Sequence, residues 1–132
     1  MAPARWTANS INQGKLVELR TEDLPGGVKA VFLTGRMDIA GTQEVDLRFT
    51  SIMATDKALV AVELSGVSFL ASIGIRTIVS NARALANRGG AMVLVRPQPL
   101  VEQTLLAAGI DSVVPIWPDL DEGVRSLQAA AS

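Results

Sequence analysis

The sequence predicts a single α/β domain with a mixed, mostly parallel sheet of four to five strands and about four helices. Three observations carry that expectation. The 132 residues are 48% hydrophobic and 19% charged, enough apolar material for one compact core. From residue 58 onward, short apolar runs alternate with stretches of helical periodicity, the order that right-handed crossovers turn into a parallel sheet. Ahead of them, two strand candidates flank Pro25-Gly26-Gly27, the arrangement of an antiparallel hairpin.

Taken in order, residues 1–13 have little to bury and read as a flexible N-terminal segment, with the domain over 14–128 and a short tail over 129–132. Lys15–Leu19 and Val28–Leu33 are the two hairpin strands. Thr42–Ala54 places Val45, Phe49, Ile52 and Met53 on one helical face. Ala58–Leu64 is a compact apolar run, as expected of a buried strand. Ser72–Arg88 is the clearest helix: Ile75, Ile78, Val79, Ala82, Leu85 and Ala86 form its stripe, and Gly89-Gly90 stops it. Ala91–Val95 is another buried strand, cut off by Pro97. Pro99–Ala108 forms a helix with proline in its first turn and Gly109 past its end. Val113–Ile116 is a last short strand. Asp119, with Glu122 three positions on, starts a final helix in a capping-box pattern, with Leu120, Val124 and Leu127 toward the core.

Composition narrows the function. Twelve basic and thirteen acidic residues leave a net charge of −1, with no long-range field to attract nucleic acid, so no direct nucleic-acid partner is expected. Histidine and cysteine are absent, which removes imidazole and thiolate metal sites, a cysteine nucleophile, disulfides and a histidine base. Carboxylates alone can ligate Mg²⁺ or Ca²⁺, but no stretch matches an EF-hand loop. No cofactor is called for, and a non-enzymatic domain is expected. Met1–Gln13 lacks the apolar centre of a secretory signal, and the apolar runs are too short to insert in a bilayer. A cytoplasmic location follows as the expectation.

The run Glu63-Leu64-Ser65-Gly66-Val67-Ser68-Phe69-Leu70-Ala71-Ser72-Ile73-Gly74-Ile75 resembles the signature of the STAS family, which comprises bacterial anti-sigma factor antagonists and the cytoplasmic domains of sulfate transporters. The family pattern is a buried strand, a short loop, then Asp-Ser-Ser/Thr-Gly opening a helix. Leu33-Thr34-Gly35-Arg36-Met37-Asp38 is similar to the family's Leu-x-Gly-x-Leu-Asp. Arg88-Gly89-Gly90-Ala91-Met92-Val93-Leu94-Val95, followed by a proline-initiated helix ending in Gly109-Ile110, matches the second half in order and spacing. The resemblance implies a single STAS-like domain and a partner-switching cycle. An anti-sigma factor with serine-kinase activity binds the unphosphorylated antagonist; phosphorylation at the motif serine, here Ser72, ends binding, and a PP2C-type phosphatase restores it. Asp38, Met37, Ile39, Phe69, Leu70, Ala71, Ile73 and Gly74 are the expected partner-binding residues.

Each of these positions also has a plainer reading. Ser72 fits an ordinary helix N-cap, worth about 1 kcal/mol over alanine. Asp38 fits the start of the first helix, and the apolar residues fit lids on the core. Gly74 fits close helix packing, with no Walker spacing around it. Ser65 and Ser68 fit turn and strand-end duty. Ala71 stands where the family has aspartate, so a second version of the function is open: a non-phosphorylated STAS subunit of an ABC-type membrane transport complex.

Overall fold

The computed structural model describes residues 16–131; the expected flexible segment over 1–13 lies outside them. Strands β1 (Val17–Leu24) and β2 (Val28–Met37) form the hairpin, with Leu24 opposite Val28 and Gly26 and Gly27 both at positive φ in the turn. Helix α1 (Ile39–Met53) crosses to β3 (Leu59–Leu70), α2 (Ser72–Asn87) to β4 (Ala91–Val95), and α3 (Pro99–Ala107) to β5 (Ile116–Trp117). Helix α4 (Leu120–Ala131) closes the chain. The sheet order is β1-β2-β3-β4-β5, antiparallel in the first pair and parallel in the rest.

Alternation along each strand divides the core between two faces. Val31, Leu33, Val60, Val62, Leu64 and Leu94 pack against Val45, Phe49 and Met53 of α1, Ile78 and Leu85 of α2, and Val101 and Leu105 of α3. Val28, Ala61, Val93 and Val95 look the other way, toward Leu127, Val124 and Leu120 of α4. Three helices therefore cover one face and a single helix covers part of the other.

Several boundaries differ from the sequence expectation. β2 and β3 run past Leu33 and Leu64 to Met37 and Leu70, because Thr34–Met37 pairs in parallel with Gly66–Leu70 through two register shifts. Ser65 and Ser68 consequently lie within a strand, not in a turn or at its end. The expected strand Val113–Ile116 is replaced by a 3₁₀ turn over Ile110–Ser112 and a two-residue β5, since Pro115 has no N–H to lend to pairing. Residues 129–131, expected as a tail, continue α4. Asp119 Oδ1 does accept the Glu122 N–H at 2.8 Å, the forward half of the capping box.

β3 is the strand that leads into the Ser72 helix. Only its first half, Leu59–Glu63, has β4 beside it; from Gly66 on it leans on β2 alone. At the point of departure sits Glu63, only 3% exposed and given no role by the sequence. Its carboxylate accepts the Ser65 N–H at 2.7 Å and the Ser65 hydroxyl at 2.8 Å, and faces Arg96 Nη1 at 3.4 Å. Gln98 Nε2 donates to the Ser65 carbonyl at 2.8 Å. The β4–α3 loop is thereby bound to the strand just where ladder bonds to β4 cease.

Candidate functional site

The overhang of β3 brings two helix starts together. Met37 is paired with Leu70 at the ends of β2 and β3, and the Ala71 N–H donates to the Met37 carbonyl at 2.9 Å. One residue beyond each strand end, α1 and α2 begin.

At the first start, Asp38 is the N-cap: its Oδ1 accepts the Gly41 N–H at 2.8 Å, and its carbonyl accepts the Thr42 N–H at 2.9 Å. Its other oxygen lies 3.7 Å from Arg36 Nε. The Arg36 guanidinium in turn rests over the Phe69 ring, 4.5 Å from its centroid. Asp38 thus caps a helix, and its half-exposed carboxylate also faces the surface.

The second start departs from the expectation of a serine cap. The N-cap residue of α2 is Ala71, extended at φ −87°, ψ 169°, and it has no side chain with which to cap. Ser72 is the first helical residue, exposed, and its hydroxyl makes no hydrogen bond to any described residue. The hydroxyl is therefore not spent on the helix.

The expected partner-binding residues divide by burial. Ile39 is 63% exposed and Phe69 40%. Asp38, Ala71 and Ile73 are half-buried. Met37, Leu70 and Gly74 are buried, so as surface contacts they are corrected: they form the floor beneath the others. A Cβ on Gly74 would stand 2.7 Å from Leu70 Cδ1 and 3.2 Å from the Met37 carbonyl oxygen, which is why this position takes glycine. Above that floor, Ile39, Ala71, Ser72, Ile73 and Arg76 line an open depression of about 370 Å³. Arg76, one turn along α2 from Ser72, was missed by the sequence reading, although its i+4 spacing was visible there.

The chemistry available at this end is limited and specific. The depression offers a free hydroxyl, a guanidinium and exposed apolar carbon, and its lining holds no carboxylate or other base. Among the described residues there is no group of three or more His, Cys, Asp or Glu side chains able to hold a metal ion. No helix among them is long and apolar enough to cross a membrane.

Fold and site define a small mixed-sheet domain that presents an exposed serine and an apolar rim at the paired ends of two parallel strands. The family model of the STAS domain matches residues 22–123, and the chain belongs to the STAS domain family. Solved structures agree on the fold. An anti-sigma factor antagonist from Mycobacterium paratuberculosis aligns with TM-score 0.75 and 22% identity, over 85% of this chain and 94% of that one. The Bacillus cell fate determinant SpoIIAA in its phosphorylated form aligns with TM-score 0.61 and 15% identity, over 83% and 98%. The murine anion transporter Slc26a9 aligns with TM-score 0.71 and 16% identity over 96% of this chain, which spans only 24% of the transporter. No curated protein sequence matches the chain significantly.

Proposed function

We propose that the chain is a non-enzymatic anti-sigma factor antagonist of the cytoplasm that binds an anti-sigma factor with serine-kinase activity through the Ser72 end, and that phosphorylation at Ser72 switches the binding off. The observation that carries this reading is the exposed, uncommitted Ser72 hydroxyl in one depression with the exposed Ile39 side chain, with Phe69 exposed near the end of β3. Exposed apolar side chains around a small depression suit the centre of a protein interface. The hydroxyl has no base of its own, so the chemistry falls to the partner. The partner's base takes the hydroxyl proton as Ser72 Oγ attacks the γ-phosphorus of ATP; the new Oγ–P bond forms, the bond to the β-phosphate oxygen breaks, and ADP leaves. The added phosphate carries nearly two negative charges into a surface that binding would desolvate, which weakens the complex without unfolding the domain. A PP2C-type phosphatase would return the site to its binding form.

A second reading is favoured by Ala71. Without the motif carboxylate the site can serve as a constitutive docking surface, as a non-phosphorylated STAS subunit of an ABC-type transport complex, and the fold likeness to a transporter domain is compatible with it. Incubation with the cognate kinase and ATP separates the two. The first reading expects one added phosphate, mapped to Ser72 and abolished in Ser72→Ala. An unchanged mass, under conditions where the kinase modifies an established substrate, favours the second.

A further inference from the structure

Arg76 stands four residues after Ser72 on α2, and the two side chains line the same depression. Long side chains on a helix run back toward its N-terminus, so the Arg76 chain is directed at the turn that carries Ser72. Arg76 is exposed and makes no ion pair among the described residues. The other charged groups at this end are already matched: Arg36 lies over Phe69 and 3.7 Å from Asp38, whose second oxygen holds the Gly41 N–H. Ala71, adjacent to Ser72, brings no carboxylate to compete for a cation.

We propose that Arg76 is the counter-ion of a phosphoryl group carried on Ser72. This rests on Ser72 being a phosphoacceptor. The guanidinium takes two phosphate oxygens in charge-assisted hydrogen bonds, a geometry that suits arginine better than lysine. The pair closes over the depression between Ile39 and Ile73. The modified surface then carries a dianion held in place over the apolar rim, and a phosphatase must displace Arg76 before it can reach the phosphorus.

The test needs neither kinase nor partner. Phosphoserine is placed at position 72 of the full chain by genetic-code expansion, and the phosphate is titrated by ³¹P NMR. Its second ionisation lies at about pH 6 in an unperturbed phosphoserine. A paired cation favours the dianion, so the midpoint in the otherwise wild-type chain should lie about half a pH unit below that in Arg76→Gln. Arg76→Lys should fall between them. Arg83→Gln removes an equal charge from the same helix three turns away and should leave the midpoint where it was. An unchanged midpoint in Arg76→Gln, or an equal shift in Arg83→Gln, overturns the proposal. Failure of the kinase to act on Ser72 would instead count against phosphorylation as the physiological switch, so the two failures are distinguishable.

Discussion

The Ala71 N–H and the Met37 carbonyl oxygen, 2.9 Å apart, join the two strand ends from which α1 and α2 depart. Through this one bond the Asp38 cap and the Ser72 hydroxyl share a common floor of Met37, Leu70 and Gly74. Surface and floor residues should therefore separate experimentally.

Ile39→Ala and Phe69→Ala remove exposed carbon and should change stability by no more than about 0.5–1 kcal/mol while weakening partner binding. Met37→Ala empties a fully buried site and should cost about 2–5 kcal/mol of unfolding free energy. Urea denaturation and binding measured on the same variants check the separation. Loss of stability in Ile39→Ala as large as in Met37→Ala would contradict it.

Gly74→Val places branched carbon against Leu70 and the Met37 carbonyl. Overpacking of this kind costs about 1–3 kcal/mol, and it should lower the melting temperature and binding together.

Asp38 has two roles that one pair of substitutions distinguishes. Asp38→Ala loses the Gly41 cap and about 1 kcal/mol. Asp38→Asn keeps a capping oxygen and so most of the stability, but it drops the charge opposite Arg36. Reduced partner binding in Asp38→Asn at near-native stability would assign the carboxylate to recognition; unchanged binding would leave it as a cap.

Glu63 holds the base of the overhang. Glu63→Ala leaves the Ser65 N–H without its acceptor and Arg96 without its partner, and should cost about 2–4 kcal/mol. Glu63→Gln retains an acceptor and should cost less. Amide hydrogen exchange in Gly66–Leu70 should rise in Glu63→Ala more than in Leu59–Val62, since only the latter is also paired with β4.

The general plan of this domain was legible in the chain because its signals are local. The Ser72 helix shows its stripe and its Gly89-Gly90 stop, β4 is a bare apolar run, and the Pro25-Gly26-Gly27 turn joins two strands directly. What was not legible depends on pairing between distant segments. Ser65–Phe69, with two serines and a glycine, has the composition of a loop, and only the register with Thr34–Met37 draws it into β3. Likewise the role of Glu63, a lone acid within the apolar run Ala58–Leu64, depends on Arg96, which the β4–α3 loop brings alongside its buried carboxylate. At the site, the position of Ser72 at a helix start was legible, but that it is not the cap was not: where a helix begins depends on backbone dihedrals, and here they assign the cap to Ala71. For Met37, Leu70 and Gly74 the sequence left both partner contact and core packing open, because it shows that they adjoin the motif but not which way they point; their burial selects packing.

The central claim is that charge at Ser72 controls binding through this surface. Titration calorimetry of the full chain against its anti-sigma kinase, in unmodified, Ser72→Ala and Ser72-phosphorylated forms, tests it most directly. The first two should bind with similar Kd, and the phosphorylated form should bind at least about 100-fold more weakly, a difference of about 2.7 kcal/mol. Equal affinity in all three forms would contradict the account.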